Sequence, residues 1–303
     1  MKAEEVYPSL PLAEWEETKI TLHLFCQIVG KIRLTLSPKL NHWWHAPLYL
    51  SARGLTTRTI PCGNQSFDLE LDFVDHELLL RTSAGDVRRM PLRGVSVSRF
   101  YVALFEALQE CGMRVTVLAK PFDPERVKSR ELFATDETHA TYDPDSVHRF
   151  WWILSHLEPI FCEFRGRFLG KCSPVHFFWH SFDLAVTRFS GRAVAVAADA
   201  DPVTREAYSH EVISAGFWVG DDQVREPAFY AYAHPQPQGL TSQPLRPAAA
   251  SWAPQGGMAL LRYEDFRRAK DPRAALLDFL QSSYEAAAKL AEWPRAQLEL
   301  PSS

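Results

Sequence analysis

The chain has 303 residues, 46% hydrophobic and 23% charged, enough to bury a sizeable core as one large domain or two ordinary ones. Its 33 basic and 37 acidic residues leave a net charge of −4, which offers nucleic acid no electrostatic footprint. No apolar run approaches the roughly 18 residues of a membrane span, and the start, Met1-Lys2-Ala3-Glu4-Glu5, carries acid where a signal peptide needs base followed by an apolar stretch.

Residues 1–10 read as an irregular lead-in containing Pro8. From Trp15 to Leu36 apolar residues recur mostly at helical steps, with acids at the start, Lys31 and Arg33 toward the end, and Ser37-Pro38 as the stop. His45–Ala52 is rich in strand formers. Ser66–Phe73 alternates apolar and acidic residues, and Glu77–Thr82 and Asp86–Leu92 continue as strands around the Ser83-Ala84-Gly85 turn. Val97–Cys111 is predicted as a helix ended by Gly112, and Arg114–Ala119 as a short strand. A connector rich in proline and acid spans 120–145.

Ser146–Leu169 reads as a second long helix. Strands are expected at Val175–Phe189, Ser209–Val219, Ala228–Ala233 and Met258–Tyr263, with a proline-rich loop at Pro235–Pro254. Asp271-Pro272 opens a last helix, as N-cap and first helical residue, running to about Ala291.

Two segments match. Shifted by 135 positions, Trp44-His45 falls on Trp179-His180 and Arg53 on Arg188, and a Ser-Pro pair precedes each. Each half reads as helix, Ser-Pro break, strands, helix. The expected fold is therefore α+β: an internally duplicated helix–antiparallel strands–helix unit whose halves pack as a pseudo-dimer. The first repeat would span 1–122, the connector 123–145 and the second repeat 146–303.

Both matched segments concentrate histidine and aromatics. His42-x-x-His45 and His176-x-x-x-His180 have spacings seen in metal sites, so His42, His45, His176 and His210 are candidate ligands for a divalent metal. On a strand His176 and His180 share a face, whereas His42 and His45 do not. His45, His176, His210 and Asp183 are candidate acid–base groups. Asn41, Trp43, Trp44 and Trp179 could wall a ligand pocket, with Lys171 or Arg188 fixing an anionic group. Ser209-His210-Glu211 sets an imidazole beside a carboxylate, but neighbours on a strand point to opposite faces. Cys26, Cys62, Cys111, Cys162 and Cys172 are odd in number and show no Cys-x-x-Cys, which argues for a reducing, cytoplasmic setting.

Thr21-Leu22-His23 through Lys31, Asn41–His45, Gly170–Trp179, Phe182–Ala185, Arg188–Gly191 and Tyr208–Glu211 together resemble a bacterial family known as domain of unknown function 5996. The resemblance spans nearly the whole chain and implies membership, but it carries no activity over. It also implies glycine at the position of His180, which argues against a shared His176/His180 metal pair.

Three functions fit these residues. The first is a small-molecule enzyme of unknown reaction, with a His/Trp-lined cleft between the repeats. The second is a non-catalytic ligand-binding or interaction protein. The third is a serine-type hydrolase using Ser173, which lacks the G-x-S-x-G elbow.

Overall fold

A computed structural model describes residues 6–197 and 199–300, so the first five residues of the expected lead-in lie outside it. The first helix, α1 (Leu12–Leu36), is buried at every position from Thr21 to Arg33. A helix apolar on most sides belongs inside a protein, and α1 runs through the core rather than over it. Its end follows the sequence: the Ser37 N–H bonds the Arg33 carbonyl at 2.9 Å and Pro38 cannot continue the turn.

The α+β expectation holds. Sheet one contains β1 (Tyr49–Leu50), β2 (Gly54–Thr56), β3 (Ile60–Cys62), β4 (Gln65–Asp72), β5 (Glu77–Thr82) and β6 (Val87–Pro91). Its order is β1-β2-β4-β5-β6, with β3 also pairing β4. Helix α2 (Val97–Glu110) follows, capped by the Ser96 side chain. Helix α3 (Pro144–Gly166) starts on the Asp143 cap, with proline in its first turn.

Sheet two contains β7 (His176–Phe178), β8 (Asp183–Ala193), β9 (His210–Trp218), β10 (Ala228–His234), β11 (Ser251–Trp252) and β12 (Ala259–Arg262). Its order is β11-β12-β10-β9-β8-β7. Short helix α4 (Pro202–Ala207) lies between β8 and β9, and α5 (Tyr263–Arg267) follows β12. Helix α6 (Pro272–Leu290) is capped by Asp271, and α7 (Arg295–Leu298) is the last described helix. All the ladders are antiparallel.

The sheets meet edge to edge. Leu48 and Phe177 exchange two backbone hydrogen bonds of 2.9 and 3.0 Å, next to β1 on one side and within β7 on the other. One buried cluster then runs through α1, both sheets, α3 and α6.

Several expected boundaries change. The strand expected over His45–Ala52 shrinks to Tyr49–Leu50, because Asn41–Trp43 forms a 3-10 turn with His42 and Trp43 at φ 54° and 60°. The strand expected over Val175–Phe189 breaks into β7 and β8: Phe182 takes φ 58° and its N–H returns to the Phe178 carbonyl at 2.7 Å. The matched Trp-His segments therefore fold differently, one as a turn before a strand and the other as a strand running into a turn. Arg114–Ala119 has no ladder partner and stays irregular. The short β2 and β3 carry too few alternating residues to stand out in sequence.

Gly30 marks where α1 meets the second matched segment. A Cβ on it would lie 2.2 Å from the Trp179 ring, whose Nε1 donates to the Ala46 carbonyl at 2.9 Å. The indole is held at one end and pressed on the helix at the other. Gly30→Ala is expected to cost about 1–3 kcal/mol in urea unfolding, the usual penalty for overpacking. An unchanged midpoint would show that Trp179 has room to shift.

Candidate functional site

The two faces of sheet two have opposite fates. Leu184, Val186, Arg188, Ile213, Ala215, Phe217, Phe229 and Ala231 are buried on the face covered by helices α3 and α6. The alternate residues floor a cleft of about 550 Å³: Asp183, Ala185, Thr187 and Phe189 from β8, Val212, Ser214 and Trp218 from β9, and Tyr230 and Tyr232 from β10. His42–Trp44, helix α4 with Tyr208, and a connector segment with Phe122, Asp123 and Arg126 close over it. Small floor residues under aromatic walls leave room for a ligand.

At one end Asp183 accepts hydrogen bonds from both Ser181 Oγ and Tyr230 Oη. Tyr230 reaches β8 from β10 by crossing β9 at Gly216, its register partner. A Cβ on Gly216 would lie 2.4 Å from Tyr230 Oη, so only glycine lets the ring lie there. Burial pushes the Asp183 carboxyl above the usual range, against the two hydroxyls and Arg126, which pull it down. Burial also raises Tyr230 well above an ordinary phenol, and the Asp183 charge adds to this. Tyr232 meets Tyr208, hydroxyl to hydroxyl, at 3.1 Å, and Thr187 meets Ser214 at 2.9 Å.

A second polar group stands at the His42 end. Lys171 Nζ donates to His42 Nε2 at 2.7 Å, while His42 Nδ1 donates to the Glu206 carbonyl at 3.0 Å. The Lys171 contact requires a neutral imidazole with its proton on Nδ1. The ammonium lies 5.3 Å from the Trp44 ring centre and 5.1 Å from that of Phe189. Burial lowers the pKa of Lys171 and of His42, and Lys171 lowers His42 further.

The residues singled out in sequence divide. His42, Trp43, Trp44 and Asp183 line the cleft, and Lys171 reaches it through His42. Asn41 begins the turn that carries them, exposed at its edge. His210 stands nearby, 5.7 Å from the His42 ring, with Nδ1 on Ser209 Oγ at 3.1 Å. His45 points away, its Nδ1 taken by the Leu40 N–H at 3.2 Å. Trp179 is buried against Gly30. Arg188 is on the opposite face of the sheet, its guanidinium 3.5 Å from the Phe164 ring centre and 4.4 Å from that of Tyr284. It packs in the core and holds no ligand in the cleft.

His176 is fully buried beside Trp44, its Nε2 3.4 Å from Tyr49 Oη. The four histidines considered as metal ligands therefore do not converge, because strand parity and the turn at Asn41–Trp43 aim them at different partners. Among the described residues no three His, Cys, Asp or Glu side chains gather as a metal site. The Ser173 hydroxyl donates to the Pro174 carbonyl at 2.7 Å and accepts the Thr187 N–H at 2.9 Å, so in this structure it braces backbone. Sequence reasoning missed Tyr230, Tyr232 and Ser214, although Tyr230-Ala231-Tyr232 carries the period-two signal that puts both tyrosines on one face.

The architecture is thus an α+β protein with two antiparallel sheets joined at their edges and an aromatic cleft on the face of one. The chain belongs to the Family of unknown function (DUF5996), whose pattern it matches over residues 7–300. No curated protein and no solved structure matches it significantly. Among the described residues no helix is long and apolar enough to cross a membrane.

Proposed function

We propose that the chain is a cytoplasmic small-molecule enzyme whose substrate lies in the cleft on sheet two, with Asp183 and Tyr230 moving its proton. The observation that carries this is a buried carboxyl joined to a half-buried phenol on the floor of an aromatic cleft. A carboxyl raised by burial can hold a proton at higher pH than a surface acid, as acid–base work requires. Trp43 and Trp44 form a wall, and the Lys171–His42 pair meets a polar group at the far end. His210 stands behind that pair, and Asn41 shapes the turn.

The test is binding first and turnover second. Thermal-shift and tryptophan-quenching screens of small metabolites should find ligands that Thr187→Trp, which fills the floor, no longer binds. Asp183→Asn and Tyr230→Phe should keep binding and lose turnover by about 100-fold or more, the usual contribution of a positioned acid or base. A screen without ligands, or ligands indifferent to Thr187→Trp, would defeat the cleft. Binding with no conversion would favour the second reading, a non-catalytic ligand-binding protein, which gains support because Ser181 and Tyr230 already satisfy Asp183.

We also infer an internal duplication, with repeats at 1–122 and 146–303 and a connector at 123–145. Its support is the shared strand order, β1-β2-β4-β5-β6 against β7-β8-β9-β10-β12, each meander preceded and followed by a helix. The Leu48–Phe177 bridge puts the edges of the two meanders side by side, as pseudo-dimer packing would require.

A further inference from the structure

A second cluster lies behind the cleft wall, around Tyr49. The Arg58 guanidinium carbon is 3.5 Å from the Tyr49 ring centre and that of Arg33 is 5.3 Å away. Arg33 is only 7% exposed, and although it donates to the Thr57 carbonyl, its Nε meets no protein acceptor. His176 is buried beside the Tyr49 hydroxyl, and its Nδ1 likewise meets no protein partner. Arg165, whose Nε donates to the Ser173 carbonyl at 2.7 Å, adds a third positive charge within electrostatic reach of His176.

The counter-charge is missing. Among the described residues none of Arg33, Arg58 and Arg165 has a carboxylate within ion-pair distance. Glu158 feels Arg58 but makes no ion pair with it. Burying an unpaired guanidinium is costly, and neighbouring like charges add to that cost. Elsewhere the chain pairs its arginines readily, as Arg81 shows with Asp68 and Glu70.

We propose that Arg33, Arg58 and Tyr49, backed by Arg165 and His176, bind a small oxyanion, a phosphate or carboxylate group. Guanidinium donors suit oxyanions geometrically, and the Tyr49 ring holds both arginines against one surface. Arg58 and Arg165 are exposed and open the site to solvent, while Arg33 supplies the desolvated charge that makes binding selective. The site stands independently of the cleft, since it shares no residue with the cleft lining.

The test titrates inorganic phosphate, and separately acetate, against chloride at matched ionic strength, reading melting temperature and heat of binding. A saturable stabilisation by phosphate or acetate is expected; the anion giving it identifies the ligand group. Arg58→Gln, at an exposed position, should fold normally and weaken that anion about tenfold or more, the loss of one charged hydrogen bond. Arg33→Gln should abolish binding if it folds, and Arg58→Gln suffices if it does not. Equal melting in phosphate, acetate and chloride, or unchanged affinity in Arg58→Gln, would overturn the proposal.

Discussion

Between pH 7 and pH 5 the folded chain is expected to lose about 4 kcal/mol through two buried histidines, His23 and His176, about 2 kcal/mol from each. Both are held at a pKa of about 3, chiefly by burial. His23 lies on α1 with its ring 4.8 Å from that of Phe182. Gln27 locks it neutral. The Gln27 amide accepts from the Phe122 N–H at 2.7 Å through Oε1 and donates to the Phe122 carbonyl at 3.0 Å through Nε2. The same Nε2 faces His23 Nε2 at 3.3 Å, so His23 must accept there. Protonation would set donor against donor.

Because these folded pKa values lie below the unfolded value, the stabilisation is present above about pH 6.5 and is lost as pH falls from there toward 3. His180, held at about 4 chiefly by burial, adds to the same trend from a half-buried position. Urea unfolding at pH 7, 6 and 5 measures the effect. In His176→Phe the fall in stability from pH 7 to pH 5 should shrink by about 2 kcal/mol, an average of about 1 kcal/mol per unit. A flat profile between pH 7 and 5 would contradict the burial of both rings.

Gly216→Ala is expected to cost about 2–4 kcal/mol and to dismantle the cleft floor. The new methyl would meet Tyr230 Oη at 2.4 Å and the Leu184 carbonyl at 2.5 Å, the first from the ring that crosses the strand and the second from backbone that cannot yield cheaply. Tyr230 would swing off Asp183, leaving a buried carboxyl short of a donor. Tyr230→Phe removes the same donor without the clash and should cost less, about 1–3 kcal/mol. In a double-mutant cycle the two should be clearly less than additive, since they break one contact. Additive losses, or a Gly216→Ala chain as stable as the parent, would mean that Tyr230 does not lie across β9.

Much of the fold was legible because its signals are local. Asp271 caps a helix with proline in the first turn, and that helix begins there as expected; the Asp143-Pro144 pair carries the same signal inside the expected connector, so the second long helix starts two residues earlier than expected. The alternation of Ser66–Phe73 recovers β4 within a residue. His45–Ala52 misled because apolar, strand-forming residues also suit a turn whose rings pack on other elements. The left-handed backbone at His42 and Trp43 is imposed by that packing and not by residue type. The periodicity of α1 suggested one buried face, and nothing in its pattern said that both sheets and α3 would cover the rest.

What the sequence determined by itself is the α+β class, the Asp271 helix cap, the period of most strands, the family, and that His42–Trp44 and Asp183 would come near one another. What only the tertiary structure decided is which side chains meet. Asp183 and Tyr230 are 47 residues apart and touch through the registers of β8, β9 and β10 and the missing side chain at Gly216. Arg188, marked in sequence as an anion clamp, went to the helix-covered face by strand parity, while Arg33 and Arg58, unmarked, came together on Tyr49. Caps and periodicity act within a few residues and can be read directly. Ladder register and edge-to-edge joining of sheets depend on the whole core being packed at once.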